Sequence, residues 1–187
     1  MLKVKIILGS TRDGRFGDKP AHFIYELARK RQDWEVELLD LKEWNLPFFT
    51  SAKAPKIGEY EGDLVKKWAA TIGEADAYII VAPEYNHGYS AVLKNAMDFL
   101  YNEWVNKPVA FVGYGGGLGG GRAVEQLRQV VIELQMAPIR EALYIPSVWQ
   151  AFDENGKPVD EQSESKAEAL FTQLHWWGEA LKVARNK

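Results

Sequence analysis

Cysteine is absent from the 187-residue sequence, and histidine is scarce. Without cysteine the chain has no disulfide framework, no Cys-X-X-Cys motif and no thiolate nucleophile, so any redox chemistry depends on a bound cofactor. The spacing of the three histidines, His22, His87 and His175, matches no metal-ligand motif. A Gly-X-Ser-X-Gly nucleophile motif is also missing. The sequence therefore predicts neither a metal site nor a catalytic dyad.

Long apolar runs and a strong charge imbalance are missing too. No stretch approaches the roughly 20 apolar residues of a membrane helix, and the first residues, 1–4, do not begin a secretory signal. We therefore expect a cytoplasmic protein with no membrane insertion. The formal net charge of −3 argues against a nucleic-acid-binding surface. No repeat or low-complexity segment divides the chain, and we expect one domain over residues 1–187.

Short apolar runs alternate with amphipathic stretches along the whole chain. The runs are rich in Val, Ile, Leu and aromatic residues, as is typical of strands buried on both faces. They are Val4–Leu8, Trp34–Leu39, Ala77–Ala82, Val109–Tyr114 and Ala142–Ile145. Apolar residues at helical spacing lie within 18–31, 61–75, 92–100, 123–134 and 167–184. This alternation predicts a three-layer α/β sandwich with a five-stranded parallel sheet.

The loop after the first predicted strand is typical of an anion site. Open parallel sheets bind ligands at the carboxyl ends of their strands, and here that end carries GSTRDGR, residues 9–15. Hydroxyls, guanidinium groups and the amides of a helix start all favour an anion. The G-x-x-x-x-G spacing matches a nucleotide P-loop, but Arg15 and Phe16 replace its Lys-Ser/Thr, which excludes an NTPase. An exposed polar turn is the alternative interpretation.

The loop after the third strand, residues 83–90, combines aromatic and hydrogen-bonding side chains. Tyr85, Asn86 and His87 offer a flat surface and several polar groups, which suits a planar heterocycle. The alternative is a hairpin-like corner whose aromatic residues cover an apolar edge. Of the three histidines, His87 is the one placed to contact a substrate.

The loop after the fourth strand, residues 113–122, is dominated by glycine. Such a run allows backbone amides to approach a flat ligand closely, although a flexible surface loop is the alternative. Gly115, Gly117 and Gly120 match G-x-G-x-x-G. A dinucleotide site of the Rossmann type is disfavoured, because the loop follows the fourth strand and no acidic partner stands about 20 residues further on.

Taken together and in this order, the motifs resemble one known family. Gly9-Ser10-Thr11-Arg12, Pro83-Glu84-Tyr85-Asn86, Leu93-Lys94-Asn95-Ala96 and Gly121-Arg122-Ala123 are similar to motifs of the NADPH-dependent FMN reductases. That family includes quinone, azo-dye and chromate reductases on a flavodoxin-like fold. The resemblance runs from the first strand through residues 152–156. It implies the strand order 2-1-3-4-5 and a homodimer or homotetramer.

The resemblance also implies a chemistry. FMN would be bound, NADPH or NADH would be the electron donor, and two electrons would pass by a ping-pong mechanism to a small-molecule acceptor such as a quinone, an azo compound or a flavin. By position, Ser10, Arg12, Arg15 and Gly17 would surround the FMN phosphate. Pro83, Glu84, Tyr85 and Asn86 would follow the isoalloxazine ring, and Gly115, Gly116 and Gly117 would line its other edge. The remaining expected cofactor-binding residues are Thr11, Phe16, His87 and Tyr114.

Two other functions remain open at this point. A flavodoxin-type electron carrier would bind FMN without oxidising NAD(P)H itself. Such carriers resemble this fold but are strongly acidic and lack arginine in the phosphate loop, so Arg12, Arg15 and the net charge argue against one. A scaffold that keeps the fold and binds no flavin is the second alternative, and the presence of all three loops argues against it.

Overall fold

In the computed structural model, which describes residues 1–186, five parallel strands form one sheet in the order β2-β1-β3-β4-β5. The strands are β1 (Leu2–Leu8), β2 (Trp34–Asp40), β3 (Ala77–Pro83), β4 (Pro108–Tyr114) and β5 (Ala137–Ile145). All four neighbouring pairs are parallel. The expected strand number, direction and order are confirmed, and the fold is flavodoxin-like.

Helices cover both faces of this sheet. They are α1 (Asp18–Ala28), α2 (Leu41–Trp44), α3 (Asp63–Gly73), α4 (Ala91–Asp98), α5 (Gly121–Glu133) and α6 (Ser163–Arg185). One core lies between the sheet and helices α1 and α6. A second core lies on the opposite face, beneath α3, α4 and α5. In residues 1–186 we find no helix that is both long enough and apolar enough to cross a membrane.

Side-chain alternation along the central strands fills both cores. In β3, Ile79 and Val81 enter the core with α1 and α6, whereas Tyr78 and Ile80 enter the other core. Because successive strand residues point to opposite faces, a strand between two helical layers must be apolar at every position. All seven residues of β3 and all seven of β4 are buried, which is why these runs predicted their strands well.

The edge strand β5 begins earlier than its sequence predicts. Only residues 142–145 form an apolar run, but the strand starts at Ala137. Arg140 and Tyr144 are exposed on this edge, so the first half of the strand lacks the uniform burial of the central strands. Short elements absent from the prediction are α2 and two 3₁₀ turns, Pro55–Ile57 and Val148–Gln150.

Asp76, just before β3, binds residues near the beginning and near the end of the chain at the amino edge of the sheet. Its carboxylate accepts hydrogen bonds from the backbone amide of Lys3 (3.0 Å), from Nζ of Lys182 (2.8 Å) and from Arg185 (3.1 Å). Burial opposes ionisation, but these contacts outweigh it and keep the pKa of Asp76 below its ordinary value. The last turns of α6 are therefore tied to the start of the sheet.

Lys107 is a buried cation beside this cluster. It is 6% exposed, and its Nζ donates to the carbonyl of Gly73 at the end of α3 (2.8 Å) and contacts the hydroxyl of Tyr78 (3.3 Å). Burial and the neighbouring charge of Arg185 lower the pKa of Lys107 to about 8, although the negative charges of Asp76 and Glu103 oppose the shift. A lysine in water titrates near 10.4.

This depressed pKa predicts that the protein gains stability at alkaline pH. Between pH 8 and 10.4 the unfolded chain binds more protons at Lys107 than the folded chain does, so the free energy of unfolding rises with pH. We expect the wild type to gain about 1–2 kcal/mol between pH 7 and 9.5 relative to Lys107→Met, measured by urea unfolding at each pH. Equal pH dependence in the two proteins would contradict the assignment.

Candidate cofactor-binding site

A cleft of about 220 Å³ lies at the carboxyl edge of the sheet. Four connections contribute to it: those after β1, β3, β4 and β5. Its lining residues are Arg12, Gly14, Arg15, Phe16, Pro83, Glu84, Tyr85, Tyr114, Gly115, Gly116, Val148 and Trp149. The three loops singled out in the sequence therefore meet at one place, as expected for an open parallel sheet.

Arg15 holds the first loop in place through buried contacts. Its side chain is only 8% exposed, and its guanidinium forms ion pairs with Asp40 and Asp18 and donates to the carbonyl of Ser10. Burial opposes ionisation of Asp40, but the hydrogen bonds from Arg15 and from the amide of Lys42 keep its pKa below the ordinary value. The charge of Arg15 is thus already neutralised by two carboxylates. This geometry argues against the expected direct contact between Arg15 and a phosphate.

Arg12 provides the positive charge that faces the cleft. Arg12 is exposed, and its guanidinium lies 5.5 Å from the ring centre of Tyr85, in cation–π contact. Within residues 1–186 it forms no ion pair with a carboxylate, in contrast to Arg15. An incoming anion can therefore pair with Arg12 without displacing a carboxylate.

A cluster of hydroxyl groups lies at the cleft near the start of α1; Tyr85 and Tyr114 line the cleft, whereas Ser10 is not one of its lining residues. The hydroxyls of Ser10 and Tyr85 are 2.6 Å apart, and Ser10 is fully buried. The hydroxyl of Tyr114 is also buried, and no residue in 1–186 provides it with a hydrogen-bond partner. Burial raises the pKa of Tyr114, so its phenol stays protonated and can donate. An unpartnered buried donor is costly, and a ligand oxygen would satisfy it.

Gly17 lies directly against this cluster. A Cβ at this position would overlap the hydroxyl of Tyr114 and lie 2.9 Å from the ring carbon that bears it. Glycine is therefore required so that the start of α1 can approach the buried phenol. This contact gives Gly17 a packing role beside the cleft, and its expected contact with the FMN phosphate stays a prediction.

Glu84 joins the second loop to the glycine loop. Its carboxylate accepts hydrogen bonds from the amide of Arg122 (3.0 Å) and from the guanidinium of the same residue (2.9 Å), at the first turn of α5. Burial opposes ionisation, but these hydrogen bonds outweigh it and lower the pKa of Glu84. A side-chain anion therefore already occupies the N-terminus of α5. The pyrophosphate of a dinucleotide would need that position, which argues further against a Rossmann-type site.

The glycine loop presents bare backbone to the cleft. Gly119 and Gly120 have positive φ and pack against the backbone of β5 and β4 respectively, whereas a Cβ at Gly116 or Gly117 would meet no atom within 4 Å. The amides of Ser147 and Val148 donate to the carbonyls of Gly116 and Gly115, both at 3.0 Å. These bonds fix the 3₁₀ turn after β5 against the glycine loop.

Not all of the predicted residues line the cleft. Thr11 instead lines a neighbouring groove between α2 and α4. Asn86 and His87, with φ of 49° and 74°, form the tip of a tight turn that is closed by two hydrogen bonds between Tyr85 and Gly88. The carbonyl of His87 accepts from Gln126 of α5 (2.9 Å). The hairpin-like corner was thus the correct local structure, and Tyr85 is its residue in the cleft.

The motif on α4 holds a long connection in place. The side-chain amide of Asn95 accepts from the backbone of Phe49 (2.9 Å) and donates to the carbonyl of Pro47 (2.8 Å). Lys94 pairs with Asp98 one turn later on the helix, as its spacing predicts. The motif therefore positions the segment after α2 and does not enter the cleft.

Sequence reasoning missed the contribution of the connection after β5. Val148 and Trp149 line the cleft, whereas the sequence prediction covers only the ends of the first, third and fourth strands. The same rule about carboxyl ends includes them, and a tryptophan just past a strand end is the available signal.

Within residues 1–186, no group of His, Cys, Asp or Glu has the arrangement of a metal site.

Comparison with known proteins identifies the class of the molecule. FerB, a flavoenzyme NAD(P)H:(acceptor) oxidoreductase from Paracoccus denitrificans, superimposes with a TM-score of 0.77 at 22% identity, over 96% of this chain and 98% of the other. At this identity the likeness shows a shared flavodoxin-like fold. The class is that of the flavodoxin-like α/β sandwiches whose ligand site lies at the carboxyl edge of the sheet.

Sequence comparison gives the family. Residues 2–150 match the profile of the NADPH-dependent FMN reductases, and this chain belongs to that family. An NAD(P)H-dependent FMN reductase of Schizosaccharomyces pombe is 36% identical over 148 residues, 77% of this chain and 74% of its own length. An NADPH:quinone oxidoreductase of Arabidopsis thaliana is 35% identical over 181 residues, 93% of this chain and 90% of its own length.

Proposed function

We propose that this protein binds FMN in the cleft and uses NADPH or NADH to reduce a small-molecule acceptor of the quinone class. The observation that carries the proposal is the meeting, in one cleft, of an arginine with no ion pair and a buried phenol with no hydrogen-bond partner within residues 1–186, together with a bare glycine loop. FMN, when bound, supplies the hydride chemistry that amino-acid side chains alone do not provide. The overall reaction converts NAD(P)H, a quinone and one proton into NAD(P)⁺ and a hydroquinone.

The first loop fits the phosphate of FMN. Arg12 provides a guanidinium, and Ser10 and Tyr114 provide hydroxyls beside the N-terminus of α1, where the helix dipole favours an anion. Arg15 has a positioning role in this proposal: it holds the loop between Asp40 and Asp18. Phe16, from the same loop, adds an apolar side chain to the lining of the cleft.

The second and third loops fit the isoalloxazine ring. Pro83 has no amide hydrogen, the amide of Glu84 donates to Tyr114 (2.9 Å), and the amide of Tyr85 donates to Gly88 (2.8 Å). Within residues 1–186 the amide of Asn86, at the tip of the turn next to Tyr85, donates to no acceptor, and we assign it as the donor of this loop to a ring nitrogen. Gly115, Gly116 and Gly117 would accept the ring's other edge, because glycine leaves room for a flat molecule against the backbone.

The proposal extends to the assembly and the location of the protein. We infer one cofactor-binding domain over residues 1–187 that acts in the cytoplasm as a homodimer or homotetramer. The family resemblance supports an oligomer, and so does the 79% exposure of Phe48 beside the groove that Thr11 lines. Sedimentation velocity of the flavin-loaded protein measures the oligomeric state directly.

The first test is the visible absorption spectrum of the purified protein after FMN is added and the excess removed. We expect retained flavin near one per chain, bleached by NADPH without oxygen and restored by a quinone. Retention of flavin without NAD(P)H oxidation would indicate an electron carrier. A folded protein that retains no flavin would contradict the proposal and favour a scaffold.

A further inference from the structure

Trp149 is a large aromatic side chain that lines the cleft and is open to solvent. It is 57% exposed and lines the cleft next to Gly115 and Gly116. Tryptophan normally buries most of its surface, because its indole is the largest apolar side chain. At a binding cleft, such an exposed indole is available for contact with a bound ligand.

The backbone around Trp149 is unusually well fixed for a loop. The 3₁₀ turn Val148–Gln150 begins after Ser147, whose φ of 44° lies in the left-handed region. The hydrogen bonds from Ser147 and Val148 to the glycine loop attach this turn to the same backbone that faces the cleft. Val148 itself is buried in the core. The backbone that carries the indole is thus held at a set position relative to the glycine loop.

Other aromatic side chains line the same cleft. Phe16, from the first loop, is 44% exposed, and Tyr85 has its hydroxyl held by Ser10. Gly115 and Gly116 add backbone surface without side chains. A cleft lined by aromatic rings and bare backbone fits a planar aromatic molecule better than a compact inorganic ion.

We propose that Trp149 stacks against the planar electron acceptor and so favours flat quinones over compact acceptors. This inference rests on the proposed function, because the acceptor must sit beside bound FMN. Trp149 is a specificity residue in this assignment: it contacts the acceptor and takes no part in proton or hydride transfer. A quinone takes up a hydride and a proton to give a hydroquinone, whereas two ferricyanide ions take one electron each from NAD(P)H and release one proton.

The experiment compares Trp149→Ala and Trp149→Phe with the wild type, and uses Trp176→Ala as a matched control. Trp176 is 65% exposed on α6 and does not line the cleft. The first readout needs no turnover: 1,4-naphthoquinone is titrated into the oxidised FMN-loaded protein and followed by the change in flavin absorbance. The second is the ratio of kcat/KM for naphthoquinone to kcat/KM for ferricyanide.

We expect Trp149→Ala to weaken naphthoquinone binding about fivefold to tenfold and to lower the kcat/KM ratio by a similar factor. Trp149→Phe restores most of both, and Trp176→Ala changes neither. Unchanged quinone binding, or an equal loss with both acceptors, would overturn the inference. Weaker binding of FMN itself in Trp149→Ala would overturn it as well, since the indole would then belong to the flavin's own site. If the wild type retains no FMN, the proposed function fails and the inference falls with it, whereas retained FMN with unchanged quinone binding overturns the role of Trp149 alone.

Discussion

We expect Arg15→Ala to lower the free energy of unfolding of the apoprotein by about 3 kcal/mol, although Arg15 lies in a loop. The reason is the buried ion pair: Arg15 is 8% exposed, Asp40 is 17% exposed, and the two form a bidentate contact. Removing the guanidinium leaves the Asp40 carboxylate with little water around it and releases the carbonyl of Ser10. Urea unfolding without FMN measures this loss.

Arg12→Ala is the matched comparison, because it removes the other arginine of the same loop. Arg12 is exposed and forms no ion pair within residues 1–186, so we expect its loss to change stability by less than about 0.5 kcal/mol. We expect it instead to weaken FMN binding by about 1.5–3 kcal/mol, the usual value of a charge-assisted hydrogen bond. Fluorescence titration of FMN measures that affinity.

The pair Arg15→Ala and Asp40→Asn completes a double-mutant cycle. If the ion pair supports the loop, the double variant loses less stability than the sum of the single variants. A stable Arg15→Ala protein with strongly reduced FMN affinity would mean that Arg15 binds the phosphate directly, as the family resemblance alone implies. The cycle therefore separates a positioning role from a binding role.

Gly120→Ala is expected to destabilise the protein by about 3 kcal/mol or more. Gly120 has a φ of 86°, which costs a residue with a side chain about 1–2 kcal/mol. A Cβ at this position would also lie 2.7 Å from Gly113 and closer still to the amide nitrogen of Tyr114. These neighbours are backbone atoms of the central strand β4, and they cannot move aside without disturbing the sheet.

Gly116→Ala provides the control in the same loop. A Cβ there would meet no atom within 4 Å, so we expect a change in stability below about 0.5 kcal/mol. The measurement is thermal or urea unfolding of both variants without flavin. Comparable stability of the two variants would show that the loop can rearrange, and that the close approach to β4 is not required for folding.

The elements predicted best are those whose surroundings make their sequence uniform. β3 and β4 are covered on both faces, so every position is apolar and the strands can be read directly. β5 has one open edge, and its exposed Arg140 interrupts the pattern before the strand begins to look apolar. The short helix α2 depends on its N-cap, Asp40, which a periodicity argument does not detect.

The site was predicted at the level of loops and less well at the level of individual side chains. The rule for parallel sheets places the loops together, whatever their residues are. Arg15 differs from Arg12 through its partners Asp18 and Asp40, and Asp40 follows 25 residues later at the end of a neighbouring strand. Likewise, Thr11 lines the groove between α2 and α4 and not the cleft. Such differences depend on partners brought together by the fold, and spacing along the chain does not contain them.

The Asp76 cluster also determines where an attached protein would project. Because Lys182 donates to the carbonyl of Met1 (2.9 Å) as well as to Asp76, the start of β1 and the last turns of α6 lie side by side. They lie at the amino edge of the sheet, whereas the cleft opens at the carboxyl edge. A tag, linker or fusion partner joined at either end therefore emerges away from the flavin side, and immobilisation through the ends leaves the cleft facing solution.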